Sequence, residues 1–249
     1  IVETLTESNP ADSSMMPRLA TSWKQVDART WHFSLRKGVK FHDGQDFNAE
    51  AVLFNIRRIF DKRINAHIRS KFFASVKMEG KAIDSHTVEL KTDRPEPLLP
   101  TLLGNLSICS PNTPLDKFTR NPIGTGPYRF VRWDPGTQIV FERFDGYWGK
   151  QPQVRKAVYV WRNESSVRAA MVDIGEADLA PDIARHDANR PDMDYSYFNS
   201  ETTSLRIGGP LEPPLNDRRV RLALNYAVDR SALRGSILSR DCVTATQMV

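Results

Sequence analysis

Apolar and polar residues alternate cleanly over 30–36. Trp31, Phe33 and Leu35 fall on one side, and His32, Ser34 and Arg36 on the other. A period of two predicts a strand with one buried face. Gly38 and the pair Asp43-Gly44 punctuate turns after it. From Asn48 the period changes. Val52, Ile56, Ile59 and Phe60 recur at helical spacing, Asn48 stands where an N-cap belongs, and Glu50 lies in the first turn, so a helix is expected there. Residues 86–92 alternate again through Val88 and Leu90. Pro95, Pro97 and Pro100 then surround a short apolar stretch, 98–106.

Prolines 111, 114, 122 and 127 predict an irregular connection and a boundary between structural units. Beyond it, strands are expected over 128–133 and 138–143, joined at Asp134-Pro135-Gly136, with another over 157–161. A helix should follow with Val167, Ala170, Met171 and Ile174 on one face, ended by Gly175 in the left-handed conformation. Pro213-Pro214 precede a further helix, capped at Asn216 or Asp217, whose stripe is Val220, Ala223, Leu224, Ala227 and Val228. Strands and helices mix without a strict repeat, which places the chain in the α/β or α+β class.

The 249 residues are 40% hydrophobic and 26% charged, with a mean hydropathy of −0.47, the balance of a folded globular chain. That length suits one large domain or two of ordinary size. No stretch reaches the ~18 consecutive apolar residues of a membrane span. The opening, Ile1-Val2-Glu3-Thr4-Leu5, has neither an initiator Met nor the layout of a signal peptide, so a processed or trimmed chain is expected. Net charge is +5, but Lys and Arg are interleaved with Asp and Glu. The pairs Arg57-Arg58 and Arg218-Arg219 sit in helical patterns, and no basic run suited to a phosphate backbone occurs, so no nucleic-acid partner is expected. Cys109 and Cys242 have neither CxxC spacing nor a histidine cluster beside them, which argues against zinc. Whether they pair, with each other or elsewhere, stays open.

Candidate chemistry is sparse. His32, His42, His67, His86 and His186 are scattered, without an HExxH motif. His42-Asp43 before Gly44 reads as a turn whose Asp accepts local backbone hydrogen bonds, in preference to a metal site. No GxSxG elbow marks a serine nucleophile. Gly124-Thr125-Gly126 is followed by Pro127-Tyr128 and a strand pattern, where a phosphate loop would continue through Lys into a helix. Gly124 and Gly126 instead suit a tight turn that side chains would obstruct, with Pro127 fixing the exit. Trp23, Trp31, Tyr147 and Trp148 read as packing residues. No catalytic residue, metal or cofactor is expected, and a binder is favoured over an enzyme.

Five segments in order resemble one family. They are Met16-Pro17-Arg18-Leu19-Ala20-Thr21-Ser22-Trp23 with Leu35-Arg36-Lys37-Gly38-Val39-Lys40-Phe41-His42-Asp43-Gly44; Pro122-Ile123-Gly124-Thr125-Gly126-Pro127-Tyr128; Tyr147-Trp148-Gly149; Gly175-Glu176-Ala177-Asp178-Leu179; and Pro214-Leu215-Asn216-Asp217 through Asn225-Tyr226-Ala227-Val228-Asp229-Arg230. Together they are similar to the large extracytoplasmic solute-binding proteins of oligopeptide, dipeptide and nickel-complex ABC importers. The resemblance implies an α/β fold of the type II periplasmic-binding-protein kind, with two lobes and a ligand between them. It further implies a β-rich first-lobe subdomain over 1–110, part of the main first lobe over 111–197, and the opening of the second lobe over 198–249.

The implied protein is a monomeric receptor in the periplasm, or lipid-anchored outside the cell, made with a signal peptide. It carries a small solute, above all a peptide, to an inner-membrane permease. Nickel chelates, opines and oligosaccharides are the other ligands the family suggests. A hydrolase on the same scaffold and the sensing module of a nucleic-acid-binding regulator are the rival classes. By analogy, the ligand-facing candidates are His67, Arg69, Asn105 and Ser107. The stretch 104–109 lacks the arginine, and 63–69 the tryptophan, of nickel-chelate relatives, which counts against such a ligand.

Overall fold

A computed structural model describes residues 1–61, 72–114, 117–195, 212–238 and 242–243. The chain forms two compact units, Ile1–Trp161 and Arg162–Val249. In the first, β1 (Thr6–Ser8) pairs with β2 (Met15–Pro17). A four-stranded antiparallel sheet follows, in the order β3 (Ala20–Asp27), β4 (Thr30–Leu35), β6 (Thr87–Thr92), β5 (Met78–Asp84).

The alternation over 30–36 does what it predicts. Trp31, Phe33 and Leu35 are buried, while His32 stays on the wet face, 2.9 Å from Glu89 on β6. Helix α1 (Ala49–Phe60) crosses this sheet against β5 and β6. The Asn48 side chain caps it by accepting the Ala51 N–H at 3.1 Å. Val52, Ile56 and Ile59 are buried as expected, and Phe60 packs at the edge of the core. Phe41, Phe47 and Phe73 fill the remaining volume. A short helix, α2 (Leu99–Leu103), lies against β1 and buries Leu99 and Leu103.

A third sheet, β7 (Tyr128–Asp134), β8 (Gln138–Arg143) and β9 (Lys156–Val160), is a meander. Gly136 supplies the left-handed turn between β7 and β8 (φ +74°). Phe130, Phe141 and Tyr159 meet edge-on across the three strands, with ring centroids 6.4 and 5.6 Å apart.

In the second unit lie α3 (Ser165–Asp173), α4 (Arg218–Ala227) and α5 (Arg230–Leu233). Gly175 follows α3 at φ +75°, the expected left-handed stop. Of the two caps offered for α4, Asp217 is used, accepting the Arg219 N–H at 2.8 Å. The apolar stripes of α3 and α4 are the exception to the sequence expectation. No residue of either helix is buried, and Leu224 is 48% exposed. Among the described residues of this unit no sheet forms for the stripes to pack on. No described helix is long and apolar enough to cross a membrane, and no described cluster of His, Cys, Asp or Glu could hold a metal.

Candidate functional site

The motif residues, distant in sequence, close on one buried carboxylate. Glu3 lies just ahead of β1 and is 6% exposed. One of its oxygens accepts from Arg18 Nη2 at 2.8 Å and from the Tyr147 hydroxyl at 3.1 Å. The other accepts from Thr125 Oγ1 and Trp148 Nε1, each at 2.8 Å. Arg18 also donates to the Tyr147 oxygen (3.2 Å), so the phenol passes one hydrogen bond on to the carboxylate. Burial, with Glu3 beside it, pushes the Tyr147 hydroxyl above its ordinary pKa of 10.0. The guanidinium of Arg36 stacks 4.2 Å from the Trp148 ring and donates to the Arg18 carbonyl. A buried ionised carboxylate needs charge and hydrogen bonds to offset its lost hydration, and four donors supply both here.

His42 performs a second closure. Its Nδ1 accepts the Gly124 N–H at 3.3 Å, which leaves Nε2 to donate to the Gly126 carbonyl at 2.9 Å. Its own backbone N–H bonds to the Gly124 carbonyl. The imidazole thus reads both faces of the turn as one neutral tautomer. Burial lowers its pKa from the ordinary 6.5, and the Gly126 carbonyl opposes that shift. Both glycines are required by closeness. A Cβ on Gly124 or Gly126 would stand 2.3 or 2.6 Å from the Ile1 carbonyl oxygen. Asp43 accepts the Gln45 N–H, the turn expected of it, and also receives Ser110 Oγ at 2.7 Å. Pro127 leaves the turn into β7, where the Tyr128 hydroxyl reaches the Val154 carbonyl at 2.9 Å.

The ligand-facing candidates divide. His67 and Arg69 lie outside the described residues. Asn105 and Ser107 lie on the half-buried segment after α2. Asn105 donates to the Thr101 carbonyl at 3.1 Å. The segment is anchored from two sides. Ile108 N–H bonds to the Glu3 carbonyl at 2.8 Å. From α1, Asn55 donates to the Cys109 carbonyl (2.7 Å) and accepts the Cys109 N–H (3.0 Å), as a neighbouring strand would. Arg58 Nη2 donates to the Ser107 carbonyl at 3.0 Å. Sequence reasoning missed Glu3 and Asn55. Their one available signal was polarity at positions that periodicity places inside. Cys109 and Cys242 are both free thiols, and burial pushes the Cys109 thiol up.

The first unit is thus locked at a buried carboxylate and at a glycine turn. The chain belongs to the bacterial extracellular solute-binding proteins, family 5, whose model matches residues 14–249. It is 31% identical to the dipeptide-binding protein of Escherichia coli K12 over 280 aligned positions, covering 98% of this chain and 51% of that one. It is 30% identical to the glutathione-binding protein GsiB of Pectobacterium atrosepticum, covering 89% of this chain and 45% of the relative. The structure of the periplasmic binding protein DppA of Helicobacter pylori, in complex with the peptide STSA, superposes with a TM-score of 0.63 at 29% identity. That match covers 71% of this chain and 40% of the other. The chain therefore spans about half the length of the curated relatives it matches. The α/β, type II periplasmic-binding-protein fold is that of these neighbours.

Proposed function

We propose that this chain is the first part of the substrate-binding component of an ABC importer, and that its cargo is a peptide. The observation that carries this reading is the closure of the family's separate motifs on Glu3 and His42, which leaves a scaffold built for binding. The dipeptide, glutathione and STSA ligands named for its relatives support a peptide cargo. Residues 1–110 and 111–197 belong to one lobe and 198–249 open the other. A hinge closes the lobes on the solute, and an inner-membrane permease receives it. The receptor is a periplasmic or lipid-anchored monomer without enzymatic activity or a nucleic-acid partner. Asn105 and Ser107, with His67 and Arg69, line its first wall.

Mass spectrometry of material released by denaturing the full-length protein tests this. Intact peptides are expected. Cleaved products would instead indicate a hydrolase, and salt-sensitive retention on DNA a regulator. The 249-residue chain alone, with one wall of the cleft, should bind the same peptides more weakly than micromolar, about −8 kcal/mol, by calorimetry.

A further inference from the structure

The C-terminal end of α1 borders a cavity of about 450 Å³ walled by Phe54, Arg57, Arg58, Asp61, Asn112 and Thr113, among others. Two features of this wall are left incomplete by the described residues. Arg58 is a half-buried cation whose guanidinium lies 4.4 Å from the Phe118 ring. It gives one N–H to Asn55 Oδ1 (3.2 Å) and one to the Ser107 carbonyl (3.0 Å). A guanidinium has five N–H donors. No carboxylate among the described residues pairs with it, and the acceptors they offer it are neutral. Thr113 is 3% exposed, and its buried Oγ1 has no hydrogen-bond partner among the described residues. Such orphans are rare enough to require an explanation.

Charge at the wall favours an anion. Asp61 and the helix end, worth about half a negative charge, stand against the full charges of Arg57 and Arg58. Glu50 approaches Arg57 only at 4.0 Å, and both are exposed. Asn112 is already committed to Asp43. A carboxylate can accept from Arg58 and from the Thr113 hydroxyl through separate oxygens while also answering the guanidinium charge, which a cation or a neutral amide does not do.

We propose that this cavity is a carboxylate subsite, in which Arg58 and the Thr113 hydroxyl hold an acidic group of the captured solute. The proposal rests on the receptor reading above and adds a ligand class to it.

The test uses the full-length protein with Arg58→Met and Thr113→Val. Two probes are used: glutarate, and a tripeptide pool prepared both as free acids and as C-terminal amides. Glutarate should raise the wild-type melting midpoint in a saturable way, with affinity about tenfold lower in Arg58→Met. Thr113→Val keeps the side chain's shape and removes the orphan hydroxyl. It should raise the midpoint without ligand and weaken glutarate binding by about threefold. Free acids should bind about tenfold more tightly than amides, and Arg58→Met should erase that preference.

Glutarate responses unchanged in both variants would overturn the subsite. An unchanged response in Thr113→Val, should Arg58→Met fail to fold, would do the same. Equal binding of acids and amides would sink the subsite and leave the receptor reading standing. Glutarate bound through Arg58 with no tripeptide bound would keep the subsite and remove the peptide cargo.

Discussion

Helices α1 and α4 carry similar local instructions and occupy opposite surroundings. Each has an acceptor side chain at its N-cap, Asn48 or Asp217, and an apolar stripe at helical spacing. α1 buries Val52, Ile56 and Ile59 together with Ala49, Ala51, Leu53 and Asn55. α4 buries none of its residues. The difference lies in what the neighbouring chain provides. β5 and β6 give α1 a sheet to lie on, and the described residues of the second unit contain no sheet. Amphipathicity says which side of a helix seeks a partner, and the rest of the fold decides whether the partner is there.

The sharpest way to break that contrast is truncation of one apolar residue on each side of it. Phe33→Ala opens the sealed core of the first unit and should cost about 3–5 kcal/mol. Leu224→Ala should stay within about 0.5 kcal/mol. Urea unfolding of both variants checks this, and comparable losses would mean that α4 is packed after all. Next comes Gly124→Ala, which sets a Cβ against the Ile1 carbonyl and should cost about 1–3 kcal/mol. The same change at Gly175, where nothing lies near the added Cβ, meets only the strain of its positive φ and should cost less, about 1 kcal/mol.

The caps make a finer probe. Asn48→Ala should cost about 1 kcal/mol of first-unit stability. Asp217→Ala should reduce helicity by circular dichroism with little change in that unfolding midpoint. The gentlest lever is pH. Burial lowers the pKa of His42, so the unfolded chain takes up the proton first as pH falls below 6.5. The stability His42 contributes is complete above that value and is lost on acidification towards its folded pKa. His42→Gln should remove this part of the pH dependence, read as the difference in urea midpoint between about pH 7.5 and 5.5.

Half-buried elements were legible because their chemistry alternates. β4, β6 and α1 each present one dry face, and pattern alone places them. β3 and β5 escaped it for the opposite reason. They are the outer strands of their sheet and are exposed along most of their length, so Val26 and Ile83 stand in water and no alternation survives. The turn at 124–128 was legible as a turn, since two glycines around one residue seldom mean anything else. Its grip by His42 was not, because the 82-residue separation of His42 from Gly124 is closed only by tertiary folding. The ligand-facing candidates were inferred by likeness alone. The structure adds to them a neighbour that likeness did not suggest, the Arg58 guanidinium against the Ser107 carbonyl.

The Glu3 network also sets an order of events. A chain made from its N-terminus can form the β3–β4 hairpin early, because its partners are close in sequence. Glu3 must wait for Thr125, then for Tyr147 and Trp148, 144 and 145 positions downstream of it. Until those residues emerge, a carboxylate destined for the interior keeps only the partner already present, Arg18. The final locking of the first unit is therefore tied to completion of the segment that carries Tyr147 and Trp148. A nascent chain halted before that point should remain open to proteases around Glu3, where the finished unit is closed.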